Sequence, residues 1–247
     1  MDITVHKVEY ADVEPLRELY RQEAGCQIVH DSMLQRGLAD PYLILADARL
    51  AGYGAVRNKY SPGHLIEFYT VPQLRDAALP MFQELLAVSE ATHIQAQTNM
   101  PLMLTMLYDC AENIVDSAIL FNDAVTTHLA CPRGSLRKTG PRDAASIFDH
   151  QSEPVGDWCI DVDGDIVATA GALYHYNPPY GDIYMEVSEQ SRRQGYGSYL
   201  VQEVKRLCYE AGKLPAARCN PDNQPSRRTL QKAGFLPCGR LLTGDVA

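Results

Sequence analysis

Apolar and polar positions alternate along residues 2–9, which predicts an opening strand. Asp12 then stands where a cap would start a helix presenting Val13, Leu16, Leu19 and Tyr20 on one face. Two extended runs, 42–47 and 50–57, flank Ala48-Arg49 and predict a hairpin. Residues 65–71 continue as a strand that passes through Pro72 into a helix over 77–88. A strand at 93–97, a helix at 101–110 and a strand at 118–123 follow. Residues 131–157, rich in Pro, Gly, Ser and mixed charge, break the pattern as a connection would. Beyond them the order returns. Strands at 158–162 and 166–175 flank the Asp-Gly turn at 163–165, and a second turn occupies Asn177-Pro178-Pro179-Tyr180-Gly181. A strand at 182–187 then leads to a helix at 197–211, a strand at 216–219, a helix at 224–233 and a final strand at 236–242. Hairpin, strand, helix, strand, helix, strand thus occurs twice, with little identity between the copies. The pattern predicts an α/β chain of two similar halves, each a mixed sheet flanked by helices. The expected division is a first domain at 1–130, a connection at 131–156 and a second domain at 157–247.

Composition adds exclusions. The 247 residues are 46% hydrophobic and 21% charged, an ordinary globular balance that can bury a sizeable core. Twenty-two basic against 31 acidic side chains leave a formal charge of −9. That balance weighs against sequence-independent binding to nucleic acid or to an anionic membrane surface, and it tolerates a cationic ligand. No run of about 18 apolar residues spans a membrane, and the charged, alternating amino terminus lacks the apolar core of a secretory signal. The seven cysteines form no CxxC pair and the seven histidines no HxxxH pair, so a cytoplasmic protein with reduced thiols and no metal site is expected.

The stretch with chemical content is Arg192-Arg193-Gln194-Gly195-Tyr196-Gly197, between a predicted strand and a predicted helix. Its glycines let the backbone turn its N–H groups outward, the helix start adds partial positive charge, and the two arginines add full charge. Such a loop suits a pyrophosphate. In isolation it is also a plain glycine turn with two solvated arginines. A Rossmann fingerprint is excluded because Leu200 stands where the third glycine belongs, and the Gly-Lys-Ser/Thr of a P-loop is absent. The second element is Asn223-Gln-Pro-Ser226, followed by Leu230 and Gly234-Phe235. Taken alone, it reads as helix caps, a helix stop and a core aromatic.

Together, the RxxGxG of Arg192, Gly195 and Gly197 and the later helix from Asn223 and Ser226 to Gly234-Phe235 resemble the GNAT superfamily of acyl-CoA-dependent N-acetyltransferases. The resemblance covers residues 155–243. The first half resembles the same fold more weakly, and its corresponding loop, 71–80, carries two prolines and no glycine. A tandem GNAT-like fold with one working site is therefore implied, the first half serving as a structural partner and acceptor wall. The resemblance implies acetyl-CoA as co-substrate, lying in a V-shaped opening between the strands at 182–187 and 216–219. Arg192, Arg193, Gln194, Gly195, Tyr196 and Gly197 would form its cradle, and Asn223 and Ser226 would contact it. A backbone N–H near Val187 would polarise the acyl carbonyl. Glu186, beside that donor in an apolar strand, is the expected general base, directly or through water, although a polar residue on a wet strand face would look the same. Leu230 stands where many members carry a tyrosine that protonates the thiolate, leaving Ser226, Tyr196 or a water for that task. The implied function is transfer of an acetyl group to a primary amine of a small molecule by direct attack in a ternary complex. The alternative is an acyl-CoA-binding sensor or interaction protein without turnover.

Overall fold

The computed structural model describes residues 1–24, 31–175 and 178–247, so Asn177 of the expected second turn lies outside the described residues. Along the chain run β1 (Ile3–Lys7), α1 (Tyr10–Glu23), a short α2 (Asp31–Gln35), β2 (Ala39–Ala46), β3 (Arg49–Arg57), β4 (His64–Thr70) and α3 (Ala78–Ser89). They are followed by β5 (His93–Gln97), α4 (Pro101–Cys110), β6 (Ala111–Asp123), β7 (Ser135–Lys138), β8 (Trp158–Val162) and β9 (Asp165–Leu173). The chain continues with β10 (Tyr180–Val187), α5 (Tyr196–Glu210), β11 (Leu214–Cys219), α6 (Gln224–Lys232) and β12 (Phe235–Val246). Two compact units result, Met1–Ala118 with Gly239–Ala247, and Ile119–Cys238.

These boundaries differ from those drawn on composition, and strand pairing gives the reason. Ile119–Asn122 of β6 pairs with β11 and so belongs with the second unit, whereas Leu241–Asp245 of β12 pairs with β5 and belongs with the first. The expected connection at 131–156 also carries structure. It holds β7, antiparallel to β8, and Arg137 of that strand is tied to Asp143 at 2.8 Å and to Asp161 at 2.9 Å.

In the first unit the strand order is β1-β2-β3-β4-β5-β12-β6. Phe68, Met81, Phe82, Leu85, Ile94 and Leu107 form its core where α3 and α4 cover the sheet. α1 begins one turn earlier than Asp12. Glu9 is the cap residue, and Asp12 sits in the first turn, where its carboxylate accepts the Glu9 N–H at 3.1 Å. Arg17 of α1 is fully buried, as are Glu67 of β4 and Tyr53 of β3. Arg17 forms a bidentate pair with Glu67 at 2.9 and 2.7 Å, and the Tyr53 hydroxyl donates to the same carboxylate at 2.9 Å.

In the second unit the order is β6-β11-β10-β9-β8-β7, with β10 and β11 parallel and the other pairs antiparallel. α5 packs Leu200, Val201, Val204 and Cys208 against Ile160, Ala168, Ala170 and Ile183. Lys205 is buried on the same helix, where it pairs with Asp123 and donates to the carbonyls of Val125 at 3.0 Å and Ala233 at 2.8 Å. Among the described residues, no helix is long and apolar enough to cross a membrane.

Candidate active site

The parallel strands β10 and β11 pair at Tyr180↔Leu214, Gly181↔Pro215 and Asp182↔Ala216, where the ladder ends. β11 continues to Cys219 against β6, and β10 continues to Val187 against β9. The two strands therefore splay from Asp182 and Ala216 onward, opening a V within the sheet of the second unit. Register fixes which backbone groups face it. Ser188 donates its N–H to the Val167 carbonyl at 2.9 Å, so by two-residue alternation Glu186, Tyr184 and Asp182 also exchange hydrogen bonds with β9. The N–H groups of Ile183, Met185 and Val187 point the other way; that of Ile183 closes the ladder against Ala216, and those of Met185 and Val187 face the opening. The Val187 carbonyl accepts from Arg192 Nε at 3.2 Å, which fastens that arginine at the mouth.

The mouth is the start of α5. Arg192, Arg193 and Gln194 are exposed, and Gly195 is the cap residue at φ 99°, with no side chain capping the first turn. Gly195 is demanded by its backbone angle rather than by crowding, since an added Cβ would find Pro132 Cγ no nearer than 3.5 Å. Gly197 has a different reason. An added Cβ there would lie 3.2 Å from Thr229 Cγ2 and 3.3 Å from Met185 Cε, so the glycine lets α5 sit close against α6 and β10. Tyr196, expected in the cradle and as a substitute acid, is 5% exposed, with its side chain in the core beside Leu200. Only its N–H is left for the loop. The uncapped first-turn N–H groups of Tyr196, Gly197 and Ser198, with Arg192 and Arg193 alongside, fit a pyrophosphate.

Alternation along β10 sends Ile183, Met185 and Val187 to the α5 side and Asp182, Tyr184 and Glu186 to the opposite face. Glu186, the expected general base, stands on that opposite face. Its carboxylate is buried and accepts the N–H groups of Gln151 at 2.9 Å, Ser152 at 3.2 Å and Glu153 at 3.1 Å. Burial works to raise its pKa, but these three bonds outweigh it and hold the group below the usual carboxylate range. A carboxylate so stabilised is a poor proton acceptor, and its evident work is to fasten the strap at 147–156 over β10. His150 helps, with Nδ1 donating to the Glu153 carbonyl at 2.9 Å and Nε2 lying 3.1 Å from Thr169 Oγ1.

Asp182, which the sequence reading passed over, sits at the last ladder pair, 6% exposed. One oxygen pairs with Arg218 Nε at 3.1 Å, and the other, Oδ1, is enclosed without a hydrogen-bond partner. Burial outweighs the Arg218 guanidinium and pushes its pKa up to about 6. Burial, followed by the Asp182 charge, raises the Glu153 pKa as well. The clue available in the sequence was alternation, since 182 shares its face with 184 and 186.

α6 holds the remaining expected residues. Asn223 caps that helix, its Oδ1 accepting the Ser226 N–H at 3.0 Å. The Ser226 hydroxyl pairs with the Cys219 thiol, whose pKa is raised by burial, so Cys219 is a protonated thiol at neutral pH and no nucleophile. Leu230 is 4% exposed in the core. Among the described residues no three His, Cys, Asp or Glu side chains gather as a metal site would.

The first unit repeats this topology with different residues at the corresponding places. β4 and β5 pair in parallel only at His64↔His93 and Leu65↔Ile94, and this last pair is apolar and fully buried. Pro72–Ala77 forms a 3₁₀ turn where the second unit has its glycine loop.

Two family models match in tandem. The acetyltransferase (GNAT) domain covers residues 9–124 and the acetyltransferase (GNAT) family residues 122–235. Solved structures agree on the fold. A GNAT-family acetyltransferase from Colwellia psychrerythraea is similar over 100% of both chains, with TM-score 0.76 and 15% identity. A GCN5-related N-acetyltransferase from Sphaerobacter thermophilus is similar over 98% of this chain and 95% of its own, with TM-score 0.61 and 16% identity. A tandem GNAT protein from the clavulanic acid biosynthesis pathway is similar over 100% of this chain and 99% of its own, with TM-score 0.60 and 13% identity. A search of curated proteins finds no match. The chain belongs to the GNAT acetyltransferases, as a tandem of two such domains, and the chemistry of that class is acetyl transfer from an acyl-CoA.

Proposed function

We propose that the chain is an acetyl-CoA-dependent N-acetyltransferase that acetylates a primary amine of a small molecule in a ternary complex, at one site in the second unit. The observation that carries this reading is the end of the β10–β11 ladder at Asp182. It puts a buried carboxylate of raised pKa at the apex of an opening lined by outward N–H groups.

The uncapped start of α5, with Arg192, Arg193, Gln194 and Gly195, holds the pyrophosphate of acetyl-CoA, whose thioester supplies the acyl group. At about 3.3 Å per residue the Met185 N–H lies about 10 Å along the strand from Asp182 and the Val187 N–H about 16 Å. The Met185 N–H is the better placed donor for the developing oxyanion, and Val187, nearer the mouth, serves the arm of the same ligand. Asp182 lies too far along the strand from the Met185 N–H to touch the attacking amine, and it takes the proton from the acceptor ammonium through intervening water. The freed amine forms its N–C bond to the acyl carbon, and the C–S bond breaks. A thiol of ordinary acidity leaves as thiolate at modest cost, so no acid is needed where Leu230 stands.

Thiol release in the presence of acetyl-CoA and a panel of amines tests the reading. Buried Leu230 favours one other outcome, acyl-CoA binding without turnover, which the same assay reveals as tight binding and no thiol. For the cradle, Gly195→Val is expected to weaken acetyl-CoA binding by about 2 kcal/mol, roughly 30-fold, in calorimetry on folded protein. Arg192→Gln should weaken it in the same direction, and unchanged affinity in both would remove the cradle.

A further inference from the structure

The β10–β11 ladder ends at Asp182↔Ala216, and an ion pair joins the two strands where it stops. Arg218 is two residues beyond Ala216 on β11, so alternation puts its side chain on the same sheet face as Asp182, away from α5. Its backbone is fixed by register with Leu120 of β6, and from there Nε reaches back to Asp182 Oδ2 at 3.1 Å. Asp182 Oδ1 is enclosed and bonds nothing in the protein. The sheet neighbours of Asp182 are apolar, Leu173 on β9 and Ala216 on β11. Other ionisable groups of the surrounding elements are engaged elsewhere or repel it. Glu186 of β10 accepts three N–H groups of the strap, and the Tyr184 ring lies over Gly171 of β9. His175 lies past the end of β9 and is exposed, and Glu153 of the strap brings a like charge. Among the described residues, Arg218 is the cation bonded to the Asp182 carboxylate.

We propose, resting on the reading of Asp182 as the base of the acetyltransferase, that Arg218 is its positioning residue: it holds Oδ2 across the opening and leaves Oδ1 as the atom that receives the acceptor's proton. The proton moves from the acceptor ammonium through water to Oδ1, and no other bond changes at Asp182 or Arg218. A guanidinium stays protonated at any working pH, so Arg218 acts through Asp182 and transfers no proton itself. Its fixed charge favours the ionised carboxylate, which keeps a base among apolar neighbours available near neutral pH.

The test follows thiol release by the full chain between pH 5 and 9, with acetyl-CoA and the fastest of a set of n-alkylamines. The same amine serves throughout, so its own titration cancels in the ratio of variant to wild type. Arg218→Gln should move the acid limb of kcat/KM up by about one pH unit or more. That costs about fivefold at pH 6 and almost nothing above about pH 8.5, with the acetyl-CoA KM within about twofold of wild type. Arg218→Lys, which restores a cation, should return the limb to within about half a unit of wild type. Asp182→Asn combined with Arg218→Gln removes both charges, which guards against a misfolded single variant, and it should be no slower than Asp182→Asn alone. An unmoved limb or a uniform loss across the pH range in Arg218→Gln, no recovery in Arg218→Lys, or losses that multiply in the double variant overturns the proposal and leaves the acetyltransferase reading standing. An acid limb that persists in Asp182→Asn overturns the reading of Asp182 as base and the proposal with it, and no thiol release from wild type with any amine overturns the acetyltransferase reading itself.

Discussion

Asp182 combines two costs that a protein selected for stability alone would avoid: it is a buried carboxylate, and one of its oxygens has no hydrogen-bond partner. Its folded pKa of about 6 stands above the unfolded value of about 3.9, so the folded state holds this proton more tightly than the unfolded chain does. The stabilisation linked to that proton is complete below about pH 4 and is lost as pH rises through about 6. Asp182→Asn cannot ionise, and it should therefore raise the melting temperature relative to wild type above pH 6, by up to ~3 kcal/mol of stability, with the difference vanishing near pH 4. The same substitution should lower kcat/KM about 10²-fold and remove the acid limb of the rate profile near pH 6. A variant that gains stability and keeps full activity would take Asp182 out of the chemistry. Glu67 presents the opposite case, since Arg17 and Tyr53 already satisfy its carboxylate. Glu67→Ala leaves a buried guanidinium without its carboxylate and should cost about 3–5 kcal/mol in denaturant unfolding.

At the scale of elements, periodicity located most strands and helices because each buries one face. It failed where pairing rather than patterning makes the strand. The outer end of β6, with Glu112, Asn113, Asp116 and Ser117, reads as polar chain; β12 lies beside it in the sheet, and Arg240 pairs with Asp116 there. β7 is four residues at a sheet edge, with a charged Arg137 held by two aspartates, and nothing apolar announces it. The glycine loop of the site was legible because φ at Gly195 demands its residue type. The place of Asp182 at the end of the β10–β11 ladder was not, because the end of a ladder is a property of two strands that meet only in the fold. The parallel pair in the first unit also has a consequence of its own. His64 and His93 stack there with ring centroids 4.4 Å apart, and burial, then His93, lowers the His64 pKa, with Arg57 acting in the same sense. The folded state resists protonation, so stability present at neutral pH is lost as pH falls through the unfolded value of about 6.5. His64→Gln should show a smaller drop in melting temperature between pH 7.5 and 5.5 than wild type, and an identical drop would discount the stack.

The whole chain carries two copies of one topology, only one of which has a glycine loop and a carboxylate at the apex of its V. Calorimetry should therefore give about one acetyl-CoA per chain, and two equivalent sites would overturn the assignment of the site to the second unit alone. A fragment from Gly134 onward lacks the part of β6 that pairs with β11, and it strips Lys205 of Asp123 and of the Val125 carbonyl. It should show no cooperative unfolding transition, whereas extending the fragment back to Ala111 should restore one. The return of β12 to the first unit bears on synthesis. β5 is translated early, yet Gln97 waits for Leu241, and at ~5–20 residues per second the ribosome takes roughly 7–30 s to deliver it. Throughout that interval the nascent chain carries an open strand edge, the kind of surface that holding chaperones recognise and that mispairs when they are scarce.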